Sequence, residues 1–416
     1  MAKSTKNIRK IVLAYSGGLD TSVILPWLKD KYGCKVIAFA ADVGQGAGEL
    51  DGIEEKALVS GADKCVVADL RKEFAEEYCF KLLAAGAVYE HVYLLGTSIA
   101  RPLIAKAQVD CARKEQADAV AHGATGKGND QVRFELTYMA LAPGLRIISP
   151  WKDPQFALTS RRAAVEYAKA KGIPVPVTKG KMYSRDRNLW HVSHEGAELE
   201  DPANEPGESL WLMSAPVSKA PTKPAYVQID FRSGVPVALD GVRLSGDELI
   251  GRLNAVGGKH AIGQVDLVEN RLVGIKSRGV YETPGGTILF EAHRSLESIT
   301  LDKDTLQHKQ QVALKYAELV YNGKWFCPLR EGLDAFVART QQDVTGTVRI
   351  KCFKGRATPG GVSSPKSLYS TDLASFTMGD EYCPSDATGF IRLFGLQMRG
   401  RGAGKEPKGA TKNPRG

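Results

Sequence analysis

Residues 11–22 read IVLAYSGGLDTS, and this stretch decides the fold. The run KIVLAY, Lys10 to Tyr15, is apolar and short, as a strand buried on both faces requires. It stops at Ser16, Gly17 and Gly18. The following DTSVILPWLKDKYG reads as a helix closed by Gly33, with Pro26 expected to bend it or shorten its regular part. A strand, a two-glycine turn and a helix start bring unpaired first-turn amides, the positive helix end and the hydroxyls of Ser16, Thr21 and Ser22 around one point. That is an anion site sized for phosphate. The plainer reading is that Asp20 or Thr21 caps the helix while the glycines turn the chain.

Working outward, the same alternation continues. KVIAFAADV, KCVVADL, ADAVAHG and LRIISP read as further strands. ELDGIEEKALVSGA sets Leu50, Ile53 and Ala57 on one helical face with Gly61 as its stop. Helices are also expected over about 72–87, about 102–116 and SRRAAVEYAKAKG. Strands alternating with helices imply right-handed crossovers and a doubly wound parallel sheet, with ligands beyond the C-terminal strand ends. Two glycine-rich loops follow strands there, SGGLDTS and HGATGKGND, and both should open on one edge of the sheet. After about residue 175 prolines cluster, and strand-and-turn segments such as YVQIDFRSGVPVALDG and NRLVGIKSRGVYE precede a long helical stretch, DTLQHKQQVALKYAELVYNG. The expected class is therefore α/β. A doubly wound parallel-sheet nucleotide-binding domain (1–175) precedes an α+β domain (176–398) and a flexible, disordered basic tail (399–416).

The bulk properties narrow the function classes. The chain of 416 residues is 43% hydrophobic and 25% charged, ordinary for a globular protein. No stretch approaches the roughly 20 apolar residues of a membrane span, and MAKSTKNIRK lacks an apolar region behind its positive start, so neither membrane nor signal peptide is expected. The seven cysteines form no CxxC pair and the histidines no HxxxH; reduced thiols, a cytoplasmic location and no protein-built metal site are expected. The net charge of +9 sits in the tails: outside 1–10 and 399–416, 46 basic residues balance 46 acidic ones. A solvated tail explains this without nucleic acid, although a salt-sensitive polyanion contact would draw on the same residues.

The glycine loop is not a Walker A motif, because no G-K-[ST] closes it, and the chain has no GxGxxG. Its S-G-G-x-D-[ST]-[ST] order resembles the PP-loop of the N-type ATP pyrophosphatases, which hold the pyrophosphate of ATP while the α-phosphate is attacked. Further blocks choose within that group: YLLGTSIARP (93–102), HGATGKGNDQVRFE (122–135), SRDRNLWHVSHEG (184–196), VENRLVGIKSRGVYETPGGTIL (268–289) and DATGFI (386–391). Together, over about residues 10–395, they resemble the argininosuccinate synthase family. The resemblance implies ligation of L-citrulline and L-aspartate through a citrullyl-adenylate, with release of AMP and pyrophosphate, in arginine biosynthesis. Amidotransferase-linked or tRNA-thiolating PP-loop enzymes would need an ammonia source or reactive cysteines at the loops, and the cysteines lie away from both glycine loops.

The resemblance also implies site residues. Ala14, Tyr15, Ser16, Gly17, Gly18, Leu19, Asp20, Thr21 and Ser22, with Ala41 and Gly123, would hold ATP. Thr125, Asn129 and Asp130 would hold aspartate, Asp130 meeting its ammonium. Tyr93, Ser98, Asn129, Arg133, Ser184, Ser193, Glu269 and Tyr281 would hold citrulline, with Arg133 suited to a carboxylate and Glu269 to the α-ammonium. Each has a plainer role as well. Asn129 could cap a helix carrying an internal pair over 129–133, the tyrosines could be half-buried aromatics, the serines cap hydroxyls, and Lys127 solvated. His122, His191 and His194 are acid–base candidates, but no residue is assigned as the base. Mg2+ is expected with ATP, held by phosphate oxygens and water. The family's C-terminal arm implies a homotetramer. Here Gly395, Gly400, Gly402 and Gly404 weaken such a helix by about 1 kcal/mol each, so it is expected to be short or to end near Met398.

Overall fold

The structure, a computed structural model, describes residues 8–46, 48–126, 128–174, 183–375 and 382–403. It divides into two units, Met1–Lys366 and Ser367–Gly416. In the first, strands β1 (Lys10–Ala14), β2 (Lys35–Asp42), β3 (Lys64–Asp69), β4 (Ala119–Ala121) and β5 (Arg146–Ile148) form a sheet in the order β3-β2-β1-β4-β5. Every neighbouring pair is parallel. The chain builds outward from β1 through β2 to β3, then returns to the other side of β1 for β4 and β5. The reversal puts a crevice at the C-terminal ends of β1 and β4, where both glycine loops leave the sheet.

The connecting helices are α1 (Leu19–Tyr32), α2 (Ile53–Val59), α3 (Arg71–Glu73), α4 (Phe80–Ala85), α5 (Gly96–Lys114), α6 (Asp130–Leu141) and α7 (Arg161–Ala170), with a π-helical Phe74–Cys79 joining α3 to α4. They cover both faces of the sheet. Ile11 and Leu13 point into a layer with Ile24, Leu25 and Leu28 of α1 and with Ile53 and Ala57 of α2. Val12 points into the opposite layer with Ala105, Val109, Phe134 and Tyr138. All three β1 residues are fully buried, each worth about 1.5–3 kcal/mol. This is why the strand carries no polar alternation. Pro26 does not end α1, which continues to Tyr32 and closes at a left-handed Gly33; the ring is buried among apolar neighbours, and the loss is confined to one backbone hydrogen bond. α5 starts six residues before the expected 102, with Pro102 inside its first turns.

The rest of the first unit is a three-stranded antiparallel sheet, β10-β11-β6, and a five-stranded one, β13-β12-β7-β8-β9. Their strands are β6 (Val192–His194), β7 (Ala225–Arg232), β8 (Val235–Leu239), β9 (Val242–Arg243), β10 (Gln264–Asn270), β11 (Lys276–Glu282), β12 (Gly346–Phe353) and β13 (Arg356–Ser363). Helices α8 (Gly246–Lys259), α9 (Pro284–Thr300), α10 (Lys303–Tyr321) and α11 (Pro328–Thr340) accompany them. Phe74, Tyr78, Leu82 and Leu103, from the first 175 residues, share one core with Leu249, Leu289, Tyr316 and Val348. This shared core makes residues 1–366 a single compact unit.

In the second unit, α12 (Asp386–Phe394) and α13 (Leu396–Ala403) flank Gly395, and Phe390 stacks on Phe394 at 5.2 Å. Helix therefore persists beyond Met398, through Gly400 and Gly402, correcting the expectation that disorder begins at Arg399. Residues 404–416 of the expected tail, like Lys127, lie outside the described residues.

Candidate functional site

At the mouth of β1 the chain turns through Gly17 at φ 73, a left-handed conformation that a side chain would strain. Gly18 is the N-cap of α1 and has no side chain with which to cap it. The capping role expected for Asp20 or Thr21 is thus absent. The amides of Leu19, Asp20 and Thr21 find no acceptor among the described residues, and Ser22 N–H makes the first helical bond, to Gly18 O at 3.1 Å. The hydroxyls instead brace the turn. Thr21 Oγ1 donates to Gly18 O (3.3 Å) and meets Ser16 Oγ at 3.1 Å, while Gly18 N–H donates to Ser16 Oγ (3.3 Å). Ser22 Oγ bonds Tyr15 Oη at 3.0 Å and so faces away from the turn. Free amides above a braced loop are an anion cradle. Asp20 lies at its edge; desolvation raises its pKa, with Arg161 opposing.

The loop after β4 passes directly against α1. A Cβ on Gly123 would stand 2.9 Å from Thr21 Cγ2. The loop then leads into α6. Asn129 occupies the N-cap position of α6, but its side chain does not cap: it donates to Tyr321 Oη (2.9 Å) and accepts from Leu272 N–H (3.0 Å). The internal pair falls on Asp130 and Arg133, Nη1 to Oδ1 at 2.9 Å. Asp130 also takes both Nε and Nη2 of Arg101 at 2.7 Å. Desolvation pushes the Asp130 pKa up, but the two guanidiniums overcome it and hold the carboxyl below its ordinary value. Arg133 Nε donates to Tyr321 O at 3.1 Å, fixing the guanidinium over the Tyr321 ring.

The opposite wall is the three-stranded sheet. Ser193 pairs with Tyr281 across β6 and β11, and Tyr281 with Val265 across β11 and β10. Partners in register share a face, as do residues two apart, so Ser193, Tyr281, Gly279 and Glu269 lie on one face. The Tyr281 ring stacks on Tyr93 at 4.5 Å, and its hydroxyl lies over Gly279, where a Cβ would overlap it. Glu269 is 5% exposed and its Oε2 has no hydrogen-bond partner. Burial raises its pKa, with Arg133 opposing. Ser184 is held by a reciprocal backbone pair with Glu195 (2.8 and 2.9 Å).

These walls enclose a cavity of about 590 Å³. Ala14, Tyr15, Ser16, Asp20, Thr21, Ala41 and Gly123 line it. So do Thr125, Asn129, Asp130, Arg133, Tyr93, Ser184, Ser193, Glu269 and Tyr281. Gly17, Gly18, Leu19, Ser22 and Ser98 are not on its wall; Ser98 is fully buried in α5 with an unpartnered hydroxyl. The histidines stand outside the lining as well. His122 is bound to Glu135 (3.0 Å) and accepts Ala124 N–H. His194 is bound to a fully buried Glu282 (2.8 Å) on the sheet face away from Ser193. His191 bonds Thr97 (2.8 Å), and burial pushes its pKa to about 3, so it is neutral. None of the three lines the cavity, although Thr97, the partner of His191, does. The reading of the sequence missed Arg101, Asp186, Glu195 and Arg271, which line the cavity. They stood inside the blocks YLLGTSIARP, SRDRNLWHVSHEG and VENRL, but nothing in the residue order signalled that their charges converge.

Comparison with known proteins agrees with the division of the walls. A family model described as the arginosuccinate synthase N-terminal HUP domain matches residues 10–174, and one described as the arginosuccinate synthase C-terminal domain matches residues 183–400. The chain is 61% identical to the argininosuccinate synthase of Carboxydothermus hydrogenoformans over 96% of its own length and 98% of that protein. It is 62% identical to that of Pelotomaculum thermopropionicum (94% and 97%) and 58% identical to the chloroplastic enzyme of Arabidopsis thaliana (94% and 79%).

Proposed function

Because the chain belongs to the argininosuccinate synthase family of ATP-using ligases, we propose that it joins L-citrulline to L-aspartate through a citrullyl-adenylate, as a step of arginine biosynthesis. The ureido oxygen of citrulline attacks the α-phosphorus of ATP, and the α–β bridging P–O bond breaks to release pyrophosphate. The aspartate amine then attacks the ureido carbon, the C–O bond to AMP breaks, and the nitrogen sheds its proton. Adenylylation turns an oxygen that would not leave into one that does. Binding the three substrates side by side supplies most of the remaining rate advantage.

The observation that carries this reading is the single cavity shared by all three residue sets. Ala14 to Ser22, Ala41 and Gly123 form the ATP site in this proposal, with the free amides of α1 on the pyrophosphate, whose charge grows as the bond breaks. Thr125, Asn129 and Asp130 take aspartate. Tyr93, Ser98, Asn129, Arg133, Ser184, Ser193, Glu269 and Tyr281 take citrulline, where the unpartnered Glu269 oxygen suits the α-ammonium. Ser98 lies off the cavity wall, and its place in this set rests on the family resemblance. Among the described residues no three His, Cys, Asp or Glu side chains gather as a metal cage. In this proposal Mg2+ would enter on the phosphate oxygens of ATP, with Asp20 the loop's own carboxylate, and would neutralise phosphate charge.

The proposal extends to domains at 1–175 and 176–398, supported by the matched spans, and to a cytoplasmic homotetramer. No helix among the described residues is long and apolar enough to cross a membrane. Self-association is supported by α12, which exposes Phe390, Ile391, Leu393 and Phe394. The test of the mechanism uses citrulline labelled with 18O in the ureido group: the label is expected in AMP. Label retained in the amino-acid product or found in pyrophosphate, or release of ADP in place of AMP, refutes it.

A further inference from the structure

The ion pairs around Asp130 extend beyond the aspartate set. Arg101, in the second turn of α5, places Nε and Nη2 on Asp130 Oδ2, each at 2.7 Å, and the same Nη2 stands 2.6 Å from Asp186 Oδ1. Asp186 in turn holds Ser193 twice through its backbone. Its N–H donates to Ser193 Oγ (3.1 Å), and its carbonyl accepts Ser193 N–H (2.8 Å). Ser193 sits opposite Tyr281 in the sheet register. On the other side, Asp130 Oδ1 accepts from Arg133. One guanidinium thus bridges a carboxylate of the aspartate set to the segment that fixes a citrulline residue.

We propose that Arg101 is a positioning residue that couples the aspartate and citrulline subsites, with Asp186 as its second anchor. The proposal rests on the substrate assignment above. Its physical basis is the shape of the guanidinium, a planar fork that satisfies two carboxylates at fixed angles, whereas a lysine ammonium is a point charge. Asp130 keeps about one unused lone pair, on Oδ1, after both arginines are bound, since a carboxylate offers about four and three are taken, so it can receive the substrate ammonium without releasing Arg101. Loosening Asp186 therefore frees Arg101 to rotate, and Asp130 follows.

The test is a double-mutant cycle on the full-length enzyme with Arg101→Lys, Asp186→Asn and the pair, read as the KM for aspartate against kcat, with thermal midpoints as folding controls. Asp186→Asn is expected to raise the aspartate KM at least fivefold. In the Arg101→Lys background it is expected to add nothing further. Multiplicative effects, as of two independent contacts, overturn the proposal, and so does an aspartate KM within twofold of wild type for Asp186→Asn. Should Arg101→Lys fail to fold, the Asp186→Asn measurement alone decides by that same twofold criterion. Failure of the underlying assignment is read separately, from wild-type protein whose AMP release does not depend on aspartate.

Discussion

Replacing Gly123 with alanine tests how the two glycine loops build the proposed ATP site. The backbone at Gly123 is not left-handed, so alanine meets no conformational penalty there. Its Cβ, however, lands 2.9 Å from Thr21 Cγ2 and 3.4 Å from Ile24 Cδ1. Carbon atoms in contact prefer about 3.5–4.0 Å, so one wall must retreat by about 0.6 Å. Thr21 has only two favoured χ1 rotamers in a helix, and leaving the present one gives up its bond to the carbonyl three residues back. Its hydroxyl is also committed to Gly18 O and Ser16 Oγ. The start of α1 or the loop itself must shift, and overpacking of this kind costs about 1–3 kcal/mol. If half of that falls on the bound state, about 1 kcal/mol at the middle of the range, the KM for ATP rises roughly fivefold. The assay is AMP release at saturating citrulline and aspartate, with ATP varied, beside a thermal melt. Gly126→Ala is the control: it lies in the same loop, its nearest neighbour is Trp151 O at 4.0 Å, and its ATP KM is expected to stay within twofold. A folded Gly123→Ala enzyme with an unchanged ATP KM refutes the reasoning.

Two further outcomes follow from the sheet wall. Gly279→Ala is expected to push the Tyr281 ring off its stack on Tyr93 and to raise the citrulline KM by tenfold or more, measured with ATP and aspartate saturating; an unaltered citrulline KM contradicts the register argument. The pH dependence concerns Glu269, whose pKa burial raises above the ordinary 4.5. If, as proposed, its ionised form meets the substrate ammonium, the citrulline KM climbs as pH falls through that raised value, sooner than a solvated glutamate would allow. Glu269→Gln is expected to remove this dependence. The same shift makes ionisation of Glu269 cost stability as pH rises through the window between 4.5 and the raised value, since the native chain then holds more protons than the unfolded one.

Some elements were legible in sequence for local reasons. KIVLAY declared a doubly buried strand, and the glycines after it declared a turn that leaves first-turn amides free, because strand burial and helix starts are properties of a dozen adjacent residues. The helix stop at Gly33 was equally local. Pro26 misled for the opposite reason: burial of α1 against β1 outweighs one lost backbone bond. The α13 helix likewise continued through glycines that propensity alone disfavours.

Charge pairing belongs to tertiary structure. Arg101 and Asp130 are 29 residues apart and Arg101 and Asp186 are 85 apart, and no local rule selects these partners among 56 basic and 47 acidic residues. The same holds for Asn129, which sequence offered as a helix cap and the fold uses to bind Tyr321 and the backbone of Leu272. It holds too for the histidines, whose burial and partners only the fold supplies. Sequence by itself determined the strand, the glycine turn and the family, since those depend on residue order over short windows. Which charges meet, which oxygen of Glu269 is left unpartnered, and that residues of all three proposed sets line one cavity were decided by long-range packing, where distance along the chain carries no information about distance in space.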